Sequence, residues 1–319
     1  MSLSVCATTF NNTGTVSCAP IMDYADKLIF VPTYAADGTR NKISTTAVFS
    51  QANLQALIDQ ADATKRWYPT PQIDNIGGER AAATFETGST GRRYKAKAGT
   101  RAFSFDVMNQ YGLYQAVFES FACAEMSFYI VDATGNLIGM QAATDDGYLY
   151  PIRISKDSMD AILGLPMPDK SVKISVSFEF DTREKDSLIK MMEYVSTVMT
   201  ANVADAEGLN TVYSTISSIS TTGFTAALYT KHNGITKVPI TGLVIGDFHD
   251  VRGGTASKLY NVTDSAAIAL TSVTESSTVP GTYVFVITVA QTSTDVLRLT
   301  PVKTQLDFTN VVASTILVP

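Results

Sequence analysis

The sequence predicts a mainly β protein in two parts. Residues 1–205 read as an α+β domain with flanking helices and a long charged β-hairpin arm at 77–99, and residues 206–319 read as an all-β sandwich. Three observations predict this. Only 17% of residues are charged while 45% are apolar, so the polar surface is mostly Thr, Ser, Asn and Gln; Thr in particular is stiff at χ1 and suits strands. Apolar residues recur with a period of two, most clearly over 171–180, where Val172, Ile174, Val176, Phe178 and Phe180 face one way and Lys173, Ser175, Ser177 and Glu179 the other. Beyond about Thr211, turn signals follow one another closely with hardly any helical period. A chain of 319 residues is long enough for two cores of ordinary size.

The first part divides as follows. Residues 1–26 form a polar segment rich in Asn, Thr and Gly, expected to be irregular and to lie over a neighbour. Residues 27–34 make a strand stopped by Pro32, with a turn at Ala36-Asp37-Gly38. Ser50 is placed to N-cap a helix through about Ala63, with Leu54, Leu57, Ile58 and Ala61 on one stripe. Pro69 and Pro71 then hold the chain extended.

The arm comes next. Residues 80–87 and 92–97 are two strand-like runs joined by Gly88-Ser89-Thr90-Gly91. Arg93, Lys95 and Lys97 share one face of the second run, and Tyr94 and Ala96 the other. Such a hairpin has too little apolar content to fold on itself, so it is expected to lean on something outside its own domain. Arg80, Glu86, Arg92, Arg93, Tyr94, Lys95 and Lys97 are therefore the predicted subunit-interface residues, with Trp67 and Tyr68 as an aromatic anchor at a domain or subunit contact.

After the arm, Phe103, Phe105 and Val107 alternate with Ser104 and Asp106 as a half-buried strand. Residues 112–122 have Leu113, Val117 and Phe121 at helical spacing, and Met126, Phe128 and Ile130 alternate again before a turn at 132–136. Asp181 and Glu184 have capping-box spacing ahead of a helix whose stripe would be Leu188, Met191, Met192, Val195 and Met199. The composition changes over 201–210, the expected boundary. Candidate strands beyond it are 223–231, 234–244, 257–262, 267–273, 281–291 and 294–300. The run TYVFVITVA is apolar on both faces, as a strand buried inside a sandwich would be, and Pro239 confines its strand to an edge or an end.

No catalytic, cofactor or metal site emerges, and the chain reads as not an enzyme. The histidines are His232 and His249. Asp247, His249 and Asp250 offer ligand types, but on a strand Asp250 points away from the other two, and no further His or Cys stands near to complete a zinc site. Cys123 lacks a nearby base and reads as a buried structural thiol, and Cys6 and Cys18 as separate reduced thiols. Asp145-Asp146-Gly147 reads as a turn, and the sequons at Asn11 and Asn261 carry little weight without a secretion signal, which the N-terminus does not resemble. No apolar run is long enough to cross a bilayer as a helix. A net charge of −6 argues against general nucleic-acid binding, with the basic stretch 92–101 the one candidate patch.

The stretch 27–139, with KLIFVPTYAADGT, RWYPTPQIDN, the arm and SFYIVDATGNLIG, resembles tail tube proteins of tailed bacteriophages, those of Bacteroidota phages in particular. The resemblance implies a tail-tube-like β-barrel or sandwich that forms hexameric rings. It also implies a barrel-lined channel through which genomic DNA passes without specific binding, and arms and terminal segments that lock rings to one another and to other tail proteins. The location would be the virion tail, assembled in the host cytoplasm. The C-terminal part resembles the immunoglobulin-like domains that phage tail proteins carry. The chain is longer than a minimal tube domain, which keeps a tail terminator, a head–tail connector or a baseplate-proximal ring in view. A cell-surface or glycan-binding adhesin built on the C-terminal sandwich is the competing reading.

Overall fold

The computed structural model describes residues 22–60, 62–232, 235–248, 259–299, 306–308 and 311–313. The expectations for Cys6, Cys18, Asn11, Ala61 and His249-Asp250 lie outside the described residues. Strand makes up 45% of the structure and helix 11%, so the chain is mainly β, as its composition predicts.

The first part is built on an eight-stranded antiparallel sheet that curls into a half-barrel. Its path runs Ile43–Ser44, Tyr148–Tyr150, Leu137–Gln141, Met126–Asp132, Ala25–Pro32, Tyr68–Pro69; from outside the path Ile152–Arg153 adds to the fourth of these strands and Ile189–Met192 to the third. Both faces of this sheet are covered. Leu28, Phe30 and Phe128 enter one core, while Ile29, Val31, Tyr129 and Val131 enter another. That double burial explains why LIFV and FYIV are continuous apolar runs. It also corrects the half-buried strand expected at Met126: Ser127 and Tyr129, on the supposed outer face, are 0% and 1% exposed.

A second, four-stranded antiparallel sheet packs across the first core, in the order Asp160–Gly164, Lys173–Glu179, Ala102–Met108, Asp74–Gly77. Its inner face carries Phe103, Phe105, Val107, Ile174, Val176 and Phe178, so the alternation read over 171–180 places its apolar face in the core. Phe178 stacks on Phe103 at 5.8 Å and meets Phe128 edge-on at 4.9 Å. Burial of such side chains contributes about 1.5–3 kcal/mol each.

Two α-helices close the layers among the described residues. Helix α1, Gln51–Ile58, covers the outer core with Leu54 and Ile58, and Ser50 Oγ accepts from Asn53 N as its cap. It stops short of Ala63, where Asp62 accepts from Thr64 N and Thr64 Oγ1 and turns the chain instead. Helix α2, Gly112–Ala122, has the predicted span but a different inward face. Tyr114, Phe118 and Phe121 pack on the core, while Leu113 and Val117 are 51% and 39% exposed. Aromatic area outweighs the aliphatic pair in choosing the buried side.

Two further expectations are corrected. The helix proposed after Asp181 does not form: Asp186–Leu188 is a 3₁₀ turn and Ile189–Met192 a strand on the edge of Leu137–Gln141. The capping-box residues are engaged elsewhere, Asp181 by Arg183 and Glu184 by Arg153, and Val195 sits at φ +61°. Cys123 is exposed at the C-terminal end of α2 instead of buried.

The second part is a sandwich of two sheets. One runs Tyr213–Ser220, Gly223–His232, Thr282–Ile287, Leu270–Glu275, with Thr236–Pro239 added to Gly223–His232; the other runs Ala266–Ile268, Leu259–Asn261, Leu297–Leu299, Val312–Ala313. Phe224, Leu228, Tyr283 and Phe285 meet Leu259, Leu297, Leu299 and Phe308 between them. Pro239 ends an edge strand, as its missing N–H requires. Thr282–Ile287 departs from the expected double burial: Tyr283, Phe285 and Ile287 point inward, but Val284 and Val286 are 44% and 37% exposed.

Candidate functional site

The arm is the outer end of one continuous ribbon. Asp74–Gly77 pairs with Ala102–Met108, the bridge Arg80–Arg101 carries the pairing outward, and Thr84–Thr87 pairs with Arg93–Lys97 beyond it. At the tip Gly88 N donates to Arg92 O at 2.9 Å and Gly91 N to Gly88 O at 2.8 Å, with Gly91 at φ +77°. From Arg80 to the tip the ribbon reaches roughly 30 Å at about 3.3 Å per residue.

Every residue of both arm strands is exposed. Register sets Phe85 opposite Lys95 and Thr87 opposite Arg93, so these four share one face, and Glu86 opposite Tyr94 on the other. The Arg93 guanidinium lies 4.8 Å from the Phe85 ring centroid. Between Glu79 and Arg101 six basic side chains stand against two acidic ones, a net +4 in a chain of net −6, leaving −10 elsewhere.

The root is fixed. Arg80 Nη1 lies 2.8 Å from Asp186 Oδ2, Arg101 Nη1 lies 3.5 Å from Asp186 Oδ1, and Arg80 Nε donates to Gly99 O at 2.9 Å. Gly99 is required there because a Cβ would come within 1.7 Å of Ala81 O.

Of the predicted site residues, Arg80, Glu86, Arg92, Arg93, Tyr94, Lys95 and Lys97 all lie on this ribbon. Trp67 does not join them. It is 3% exposed, between Phe49 at 5.7 Å and Tyr129 at 5.1 Å, so it anchors its own core and is closed to another chain. Tyr68 is half-buried, its ring 5.4 Å from Phe121 and its hydroxyl donating to Ala63 O at 3.0 Å. It forms part of the wall of a pocket of about 380 Å³ beside the end of α2, and of a cleft of about 550 Å³ where the two parts of the chain meet. Arg66 pairs there with Asp307 at 3.0 Å, a contact with no sequence signal.

The outer face of the four-stranded sheet is polar and organised. Asp106 accepts from Lys173 Nζ at 2.7 Å, Asn75 Nδ2 at 2.7 Å and Ser175 Oγ at 2.6 Å. Burial alone would raise the Asp106 carboxyl, but the hydrogen bonds from Lys173, Ser175 and Asn75 outweigh it and hold it below the usual range. Asp74, Asp160 and Glu179 share this face, so acidic groups exceed basic ones.

Among the described residues no cluster of His, Cys, Asp or Glu has the makings of a metal site, and Asp145 serves its turn by accepting from Gly147 N at 3.0 Å. No described helix is long and apolar enough to cross a membrane. No family model, curated protein or solved structure matches the chain.

Proposed function

We propose that this chain is a structural subunit that assembles with copies of itself into stacked rings, as a tail tube protein of a tailed bacteriophage does, with DNA passing through the lumen. The observation that carries the reading is the arm: a basic, wholly exposed ribbon, continuous with a core sheet and held at its root by Asp186. A two-stranded ribbon has no core of its own, and a protein that orients one at its base presents it to a partner. The polar face of the four-stranded sheet supports the same reading. Its excess of carboxylates over Lys173 suits a wet lumen that repels phosphate and lets DNA slide. The C-terminal sandwich, joined through the Arg66–Asp307 pair, is then an immunoglobulin-like decoration on the tube's outside. Negative-stain electron microscopy of the full chain tests this. Rings or tubes with an axial channel are expected; a field of monomers across protein and salt concentrations would refute it.

A further inference from the structure

We infer that the arm is received by the pocket at the C-terminal end of α2 on a second copy of this chain, an inference that rests on the self-assembly reading above. The pocket, about 380 Å³, is lined by Pro32, Tyr34, Tyr68, Phe121 and Met126, with Glu125 at its rim. Its walls are set before any partner arrives: Tyr68 packs on Phe121 and is pinned by Ala63 O, and Met126 is buried in the core. The hole is apolar, and one carboxylate stands beside it, that of the exposed Glu125.

The arm presents the complementary chemistry on one face. Phe85 is 48% exposed, Arg93 lies over its ring and Lys95 stands opposite it. An apolar ring flanked by two cations matches an apolar hole with a carboxylate at its rim. The chain's own charge split points to a second copy as the partner, because a +4 ribbon faces a remainder of −10. The arm does not fill its own molecule's pocket, since both its strands are exposed throughout. Knob and hole are different surfaces, so the contact is head-to-tail and propagates into rings or stacks instead of ending at a dimer.

Two surface variants test it, each with its melting temperature checked against wild type. F85S/R93E spoils the knob and E125R the rim. Each alone is expected to raise the concentration needed for assembly roughly a hundredfold, as like charges at a contact cost several kcal/mol. Mixed in equal amounts they should form a finite heterodimer by mass photometry, because one retains an intact pocket and the other an intact arm. In a Cys6→Ser, Cys18→Ser background treated with diamide as the two-electron oxidant, Thr87→Cys should form a disulfide with Cys123 of the next copy, and Cys123→Ser should abolish it. If E125R assembles as wild type while F85S/R93E does not, the pocket is the wrong receptor and the self-assembly reading survives. If wild type is itself monomeric, both fall.

Discussion

Arg80 Nη1 lies 2.8 Å from Asp186 Oδ2, tying the root of the arm to a turn 106 residues further along the chain. Arg101 approaches the other oxygen of the same carboxylate at 3.5 Å, so one side chain clasps both strands of the ribbon. The Arg80 and Asp186 side chains are 40% and 39% exposed, and such pairs contribute at most about 1 kcal/mol. Their effect is on direction. Asp186→Asn should therefore leave the melting temperature almost unchanged while speeding hydrogen exchange at the Ala81 amide, which donates to Thr100 O. Unaltered exchange would mean that backbone pairing alone holds the root.

The two faces of Lys173–Glu179 give a sharper contrast. Val176 is 1% exposed within the aromatic core, and its neighbour Ser177 is exposed. Val176→Asp buries an unpaired charge and should cost about 3–5 kcal/mol, enough to prevent folding. Ser177→Asp should stay within about 0.5 kcal/mol of wild type and affect assembly at most. Chemical denaturation of both variants decides the matter.

Lys173–Glu179 was legible in the sequence because it is buried on one face only, so its side chains alternate. The arm, exposed on both faces, was legible instead from the alternation of Arg93, Lys95 and Lys97 with Tyr94 and Ala96 and from the glycines that mark its turn. The misreadings have physical causes of their own. Strands covered on both faces lose the alternation, as at Ser127 and Tyr129. In 112–122 two stripes compete, and spacing cannot tell that Phe118 turns inward while Val117 faces the cleft. The spacing of Asp181 and Glu184 mimics a helix cap, but their charges are taken by Arg183 and Arg153. Tyr213–Ser220 was overlooked since YSTISSIS offers only Ile216 and Ile219 to the core. Contacts such as Arg66–Asp307 and Arg80–Asp186 join distant segments and leave no local pattern.

Stability should fall in acid. Hydrogen bonds from Arg183 hold Asp181 down to about 2, and Asp106 and Asp132 are also lowered, their hydrogen bonds outweighing burial. Carboxyls of the unfolded chain titrate near about 3.9, so the native state binds fewer protons in between. The stabilisation is complete above about pH 5 and is lost as pH falls through the folded values. Melting temperatures from pH 7 to pH 2.5 should decline, less steeply in Asp106→Asn, whose side chain no longer titrates. Parallel curves for wild type and Asp106→Asn would show that the Lys173–Ser175–Asn75 network is not a source of the effect.

The second sandwich closes its core within 212–311, and its parallel pair Asn210–Leu306 and Thr211–Asp307 is internal to it. The fragment 210–319 should therefore fold alone and melt cooperatively as a β-rich monomer. An aggregated or unstructured fragment would show that the Arg66 side of the junction is needed to complete it.

The most direct test of the account is sedimentation velocity on the full chain and on a variant with residues 82–99 replaced by Gly-Ser-Gly. Ala81 and Thr100 are already paired, so the short linker closes a ribbon that exists and leaves the core sheets untouched. The account predicts ring-sized or larger species for the full chain, and a monomer with an unchanged melting temperature for the variant. Assemblies of equal size in both samples would contradict the claim that the arm makes this protein a self-assembling subunit.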